Sequence, residues 1–146
     1  MFIKQLTNAG SMPALEMTMR FAAQRQRLIA HNIANISTPN FIQKDVSVGG
    51  FQETLDRAIR ERRARTGGMR GDLDWRETEE LRRGRDGELQ LTPTTPGDGV
   101  LFHDRNNRNV ERLMQSLIET TSAFRTAAEL HRSQKMLIDM AITQRV

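Results

Sequence analysis

Apolar residues recur at helical spacing in two long segments, one near each end of the chain. In the first segment they alternate in steps of three and four from Met12 to Ile36, which predicts an amphipathic helix over residues 11–36. Ser11 is a suitable N-cap, and Pro13 lies in the first turn, where its missing N–H does no harm. The predicted seam consists of Met12, Leu15, Met19, Ala22, Gln26, Ile29, Ile33 and Ile36.

The second segment predicts a longer helix over residues 109–144. Asn109 is a suitable N-cap, and Glu111 in the first turn complements the helix dipole. Its seam consists of Val110, Leu113, Leu117, Thr120, Phe124, Ala127, His131, Gln134, Ile138 and Ala141, and the apolar stripe is widened by Met114, Ile118, Leu130, Met136, Leu137 and Met140. A stripe this broad is typical of a helix with more than one neighbour. Because the chain has one other long helix, contacts with other chains are expected.

The middle of the chain is polar. A short helix is predicted over residues 51–65, with Phe51, Leu55, Ala58 and Ile59 on its apolar side. Between Arg57 and Arg85 the chain has ten arginines against six acidic residues, which indicates that residues 66–105 form a flexible, solvated, arginine-rich insert. A hairpin is expected within it, with one arm at Leu89 and Leu91 and the other at Val100 and Phe102.

The first helix carries two asparagines, Asn32 and Asn35, at the point where it must stop. Pro39 disfavours helical geometry at Thr38 and has no N–H to donate. The amides of the asparagines can satisfy the last carbonyls of the helix, or they can be buried and fix the register between helices. We hypothesise that Asn35 does both.

Composition limits the classes of function. With 146 residues, the chain has room for one modest domain over residues 1–146, and its 37% hydrophobic and 5% aromatic content favours a thin core. The net charge of +4 suits nucleic acid, an anionic membrane or an acidic protein equally. There is no cysteine, so disulfides and thiol chemistry are excluded. No cleavable signal sequence or membrane span is apparent.

The sequence lacks the motifs of an enzyme. His31, His103 and His131 have no metal-ligand spacing, and the glycines at 67, 68 and 71 form no phosphate-binding loop. We therefore predict no catalytic, cofactor-binding or metal site and no small-molecule substrate. The arginine-rich insert leaves nucleic acid as an alternative partner. That alternative is disfavoured because only Trp75 offers a stacking surface nearby.

The run Arg25–Phe41, RQRLIAHNIANISTPNF, resembles the amino-terminal signature of bacterial flagellar rod and hook proteins. The matching residues are Arg25, Gln26, Ile29, Ala30, Asn32, Ile33, Ala34, Asn35, Thr38, Pro39 and Phe41. Near the other end, Asn106, Asn107, Glu111 and Met114 fit the closing segment of that family. Three positions depart from the pattern, namely Asn40 and Arg105, where the family has glycine, and Ile42, where it has lysine.

The resemblance implies a mainly α-helical fold in which the N- and C-terminal helices pair as a coiled coil. Only about seventy residues separate these helices, which favours a proximal-rod member over the larger hook and distal-rod proteins. The resemblance further implies a structural, self-assembling subunit of the flagellar basal body. We expect it to lie in the periplasmic rod, to be exported by the flagellar type III apparatus without a cleaved signal peptide, and to transmit torque.

Expected partners are further copies of the chain, other flagellar rod proteins, the membrane-ring adaptor at the rod base, the rod-capping protein and the export apparatus. Two alternatives stay open: another rod subunit of the same axial family, and a basic coiled-coil adaptor that binds nucleic acid. The predicted assembly residues are Leu15, Met19, Ala22, Gln26, Ile29, Asn32, Ile33, Asn35, Thr38, Pro39, Phe41, Val110, Leu113, Met114, Leu117, Phe124 and Ile138.

Overall fold

A computed structural model describes residues 10–95 and 109–143 of the chain. In chain order, these residues form helix α1 (Met12–Ala34), helix α2 (Val48–Thr66), strand β1 (Leu81–Arg83), strand β2 (Leu89–Leu91) and helix α3 (Val110–Thr143). The described chain is mainly helical, and the long helices α1 and α3 pack together. The predicted fold class is therefore confirmed.

The chain forms two compact units, and both long helices contribute to each. Among the described residues, the first unit contains residues 10–19, 48–76 and 124–143, and the second contains residues 20–47, 77–95 and 109–123. The interpretation of residues 1–146 as a single domain stays a prediction.

The first unit has a small apolar core. Its buried side chains are Met12, Met17, Phe51, Ala58, Trp75 and Ala127, together with the polar Thr54 and Arg62. The guanidinium of Arg62 donates a hydrogen bond to the carbonyl of Gly10, and the amide of Gly10 donates to the carbonyl of Met69 at 3.3 Å. Arg62 and Trp75, which the charge pattern placed in solvated chain, are thus buried in this unit.

Helix α2 begins three residues before the predicted start and ends one residue after the predicted end. Its end is set by Gly67, which has a φ of 67° and donates its amide to the carbonyl of Arg63 at 2.9 Å. A residue in the left-handed region just after the last helical residue is a common way to stop a helix, and glycine adopts this conformation without steric strain.

The second unit contains the two-stranded sheet. Strands β1 and β2 are antiparallel, with Leu81 opposite Leu91 and Arg83 opposite Leu89. The predicted arm at Leu89 and Leu91 is a strand, but its partner is the segment before it rather than the segment after it. The turn lies around Gly84–Gly87, where each of these glycines donates or accepts a backbone bond. The expected second arm at Val100 and Phe102 lies outside the described residues.

The buried face of helix α1 is displaced from the predicted seam. Ala22 and Ile29 of the seam are buried, but so are Met17, Phe21 and Arg25, which lie off it. Arg25 is four residues before Ile29 and therefore lies on the same side of the helix. Because the seam was identified by its apolar period alone, it missed a buried face that includes an arginine.

Helix α3 is buried or half-buried along the middle of its predicted seam and exposed along the rest of its apolar stripe. Leu113, Thr120 and Ala127 of the seam are buried, whereas Leu117 and Phe124 between them are half-buried. Asn109 caps the helix as predicted, because its side-chain oxygen accepts the amide of Arg112 at 3.0 Å.

A candidate assembly site on the two long helices

The chain leaves helix α1 through a tight turn at Thr38–Phe41. The amide of Phe41 donates to the carbonyl of Thr38 at 3.3 Å, and Asn40 has a φ of 59°. A proline at the second position and a positive φ at the third position are the features of a type II turn. Asn40, which stands where the flagellar pattern has glycine, therefore takes the conformation that the glycine would supply. The rings of His31 and Phe41 lie 5.5 Å apart across this turn.

Asn35 completes the end of the helix. Its side-chain amide donates to the carbonyl of His31 at 2.9 Å, and its own carbonyl accepts the amide of Thr38 at 2.9 Å. Both bonds are local. They satisfy groups that the last turn of a helix leaves without partners, so these contacts match the capping half of our hypothesis for Asn35. Its role in register stays a prediction.

Asn32 instead makes a long-range contact. It is 2% exposed, its amide donates to the carbonyl of Lys44 at 2.6 Å, and its oxygen accepts the amide of Lys44 at 3.3 Å. One side chain thus binds both backbone groups of a residue twelve positions away, as a neighbouring strand would. The chain after the turn, residues 42–47, is called here the extended segment. The two-point contact fixes its path against helix α1.

A partly buried ion pair in the second unit joins Arg25 to Asp45. The guanidinium of Arg25, a residue that is 6% exposed, donates to both carboxylate oxygens of Asp45, at 3.0 and 2.9 Å. Its third donor contacts the hydroxyl of Thr120 on α3 at 2.8 Å. Fork-shaped pairing of this kind fixes geometry as well as charge. Arg25 therefore joins α1, the extended segment and α3 at one point.

The extended segment is fixed on its other side by Thr94. Asp45 and Thr94 exchange two backbone hydrogen bonds, each of 3.0 Å. The carboxylate of Glu80 bridges nearby groups, accepting the amide of Ser47 at 2.8 Å and the hydroxyl of Thr94 at 2.6 Å. Asp45 is thus held by backbone and by side chain at once, which positions its carboxylate for Arg25.

The side-chain amide of Gln24 pairs with the edge of strand β2 that faces away from β1. Bonds between Gly84 and Glu88 and between Thr92 and Glu80 show that Leu89 and Leu91 direct their backbone groups away from β1, because antiparallel pairs alternate. Gln24 takes up these groups, donating to the carbonyl of Leu89 at 2.6 Å and accepting the amide of Leu91 at 3.0 Å. These two backbone groups of the strand edge are thereby already paired within the chain.

The outer side of α3 has the opposite character. Six of its large apolar side chains are between 44% and 67% exposed, namely Met114, Ile118, Leu130, Met136, Leu137 and Met140. We call these six residues the outer stripe. Met114 and Ile118 are four residues apart, as are Met136 and Met140, so each pair is adjacent on the helix surface. Repeated exposure of large apolar residues on one helix is typical of an interaction surface.

Comparison with known proteins identifies the family. Over 99 residues, covering 65% of this chain and 67% of the relative, the sequence is 36% identical to the flagellar basal body rod protein FlgB of Borrelia hermsii. The chain belongs to the FlgB family. No family model matches the sequence. At the level of the family, the chain is a structural subunit of the flagellar basal-body rod.

Within the FlgB fold, the predicted assembly residues divide into two groups. Most of them are at least half-buried: Ala22, Ile29, Asn32 and Leu113 are buried, and Leu15, Met19, Gln26, Ile33, Asn35, Phe41, Leu117, Phe124 and Ile138 are half-buried. Thr38, Pro39, Val110 and Met114 are exposed. Gln26 joins the two long helices through a 3.1 Å bond to the hydroxyl of Thr121.

Sequence reasoning missed three members of this site. Gln24 and Asp45 were not singled out, and Arg25 was noted as a family match that lies off the seam. The sequence signal for Arg25 was that it lies in the run shared with the FlgB family. An arginine is rarely buried unless it is paired, so its burial required a partner elsewhere in the chain. Asp45 is the acidic residue in the segment that follows the turn, but its pairing depends on how the chain folds back.

The described residues contain no cluster of three or more metal-ligating side chains. No helix among them is long and apolar enough to cross a membrane. The pKa of Asp56 is lowered by its hydrogen bond with Arg60, one turn along α2. This is an exposed pair on the helix surface and not the electrostatics of a reaction site.

Proposed function

We propose that this FlgB-family chain is a proximal-rod subunit that polymerises through its two terminal helices and helps to transmit torque. The observation that carries the proposal is the outer stripe of α3, which is exposed although Leu113, Thr120 and Ala127 on the opposite side of the same helix are buried. A subunit of a helical assembly needs apolar surface that its own fold leaves uncovered. In the second unit, which includes Met114 and Ile118 of the stripe, the polar contacts of Arg25, Asn32 and Gln24 hold the chain in place.

The finer features of the proposal follow from membership of the FlgB family. We propose that the subunit is exported by the flagellar type III apparatus without a cleaved signal peptide and lies in the periplasmic rod. Its neighbours would be further copies of itself, other rod proteins such as FlgC, the membrane-ring adaptor at the rod base and the rod-capping protein.

The distribution of the arginines supports a rod subunit over a nucleic-acid binder. Arg62 is buried, Arg60 pairs with Asp56, and Arg76 lies 3.6 Å from the carboxylate of Glu61. Trp75, the aromatic residue of this region, is 7% exposed and offers no open face for base stacking. The described part of the arginine-rich region therefore offers no exposed aromatic surface for base stacking, although most of its arginines are exposed.

The test is incorporation of variants into basal bodies. Ile118→Lys and Leu137→Lys each place a charge on the outer stripe, at residues that are 67% and 60% exposed. Each gene replaces the native copy in the source cell, swimming is measured on soft agar, and detergent-extracted basal bodies are examined by mass spectrometry. We expect the subunit to be absent from basal bodies and the cells not to swim, because an unpaired charge would be buried at the contact.

Met69→Lys is the matched control, since Met69 is an apolar residue that is 72% exposed but lies outside α3. It should incorporate and swim normally. Circular dichroism of the purified variants must show unchanged helicity, so that loss of incorporation is not loss of folding. Normal swimming and normal incorporation of both α3 variants would overturn the proposal.

A further inference from the structure

Methionine is the one sulfur-containing residue type in this chain, which has eight methionines and no cysteine. Their exposure differs sharply. Met12 and Met17 are 4% and 5% exposed, whereas Met114, Met136 and Met140 are 44%, 52% and 46% exposed. Met69, which lies outside α3, is 72% exposed. The three exposed methionines of α3 all belong to the outer stripe, so the surface that we assign to assembly presents three thioethers to solvent.

We propose that Met114, Met136 and Met140 are oxidation-sensitive modification sites that control whether the outer stripe can pack. The oxidant is a peroxide. One oxygen of hydrogen peroxide is transferred to the methionine sulfur, an S–O bond forms as the O–O bond breaks, and the other oxygen leaves as water. The sulfur loses two electrons and the peroxide gains them. The product, methionine sulfoxide, is polar and can be returned to the thioether by reductases of the methionine sulfoxide class.

The geometry concentrates the effect. Met136 and Met140 are one helical turn apart, so two sulfoxides would lie next to each other, with Leu137 between them in sequence. Met114 is one turn before Ile118 and would place a third sulfoxide beside the most exposed apolar side chain of the stripe. A sulfoxide buried without a hydrogen-bond partner opposes association, because its polar oxygen must be removed from water.

The absence of cysteine makes the response specific. A thiolate reacts with peroxides and forms disulfides, and this chain has none to consume the oxidant or to cross-link copies. Trp75, another oxidisable side chain, is 7% exposed. Oxidation of the folded subunit should therefore change the outer stripe and the exposed Met69, and leave the two cores intact.

The first experiment needs no rod. The full chain is treated with increasing hydrogen peroxide, and peptide mass spectrometry locates each added oxygen. We expect Met114, Met136, Met140 and the exposed control Met69 to be oxidised at least about tenfold faster than Met12 and Met17, since reaction follows exposure. Equal rates at the exposed and buried methionines in chain of unchanged helicity would overturn the proposal.

The second experiment reads the apolar character of the stripe. Retention on a phenyl column is compared before and after peroxide for the native chain, for the triple variant Met114→Leu, Met136→Leu and Met140→Leu, and for Met69→Leu. Leucine conserves volume and cannot be oxidised. Peroxide should reduce the retention of the native chain and of Met69→Leu, and should leave the triple variant almost unchanged. Equal losses in the native chain and the triple variant would overturn the proposal.

The consequence for the rod rests on the proposed function and is tested separately. Cells that carry the triple leucine variant should build basal bodies and swim after a peroxide dose that stops cells with the native chain and with Met69→Leu. Equal sensitivity of all three strains would contradict a controlling role for these methionines. If untreated native chain is absent from basal bodies, the proposed function fails, while the peroxide map and the column result still decide the modification sites.

Discussion

The carboxyl-terminal half of α1 and the outer stripe of α3 show opposite ways of using a helix surface. On α1, Gln24, Arg25 and Asn32 bind backbone and side-chain groups of distant segments of the same chain. On α3, the large apolar side chains of the outer stripe contact water. Under the proposed function, α1 shapes the subunit, whereas α3 supplies the surface that the subunit offers to others.

The largest expected effect comes from breaking the ion pair on the α1 side. Arg25→Met should lower the free energy of unfolding by about 2–4 kcal/mol, because Asp45 and Thr120 lose their shared donor. The figure lies below that of a fully buried pair because the side chain of Asp45 is 33% exposed. Urea denaturation measures this change in the free energy of unfolding. Arg27→Met, an exposed arginine of the same helix, should change stability by less than about 0.5 kcal/mol, and equal losses would refute a special role for Arg25.

A second prediction compares the two sides of α3 directly. Leu113 is 8% exposed and Ile118 is 67% exposed, although they are only five residues apart. Leu113→Ala should cost about 2–4 kcal/mol of stability, since it leaves a cavity. Ile118→Ala should cost about 0.5 kcal/mol or less. Thermal or urea unfolding of the two variants measures both losses of stability. A large loss of stability in Ile118→Ala would show that the outer stripe supports the fold of the free chain.

A third prediction separates the two asparagines. Asn32→Ala should cost about 1–3 kcal/mol, because both backbone groups of Lys44 lose a buried partner. Asn35→Ala should cost about 0.5–1 kcal/mol, since water can replace its local bonds at the exposed end of the helix. If Asn35 also sets register, its replacement should lower incorporation into basal bodies more than it lowers helicity. Matching losses of both would leave capping as its role.

The smallest expected effect concerns Asp56 on α2. The hydrogen bond from Arg60 holds the pKa of Asp56 below its usual 3.8, so the stabilisation is present above the unfolded pKa and is lost as the pH falls through the folded pKa. Carboxyl NMR titration should show the low pKa in the native chain and a normal one in Arg60→Gln. High salt should reduce the difference, because the pair is exposed. An unchanged pKa in Arg60→Gln would exclude this pair as the cause.

The sequence predicted the helices because their determinants are local. The period of apolar residues, the cap at Asn109 and the break at Pro39 all act within one or two turns. The hairpin was half predicted: Leu89 and Leu91 alternate with a polar residue as a strand does, but the choice between an earlier and a later partner depends on which segment meets the core. The earlier segment is the one that pairs, and its Leu81 is buried at 2% exposure.

What the sequence by itself determined is therefore the set of helices, the seam of α3 and the run from Arg25 to Phe41 that the FlgB family shares. What only the tertiary structure decided is which polar side chains are partners. Arg25 meets Asp45 and Thr120 across 20 and 95 positions of the chain, and Gln24 meets Leu89 across 65. No local pattern encodes these pairs, because a buried polar group is stable only where folding brings its complement within hydrogen-bonding distance.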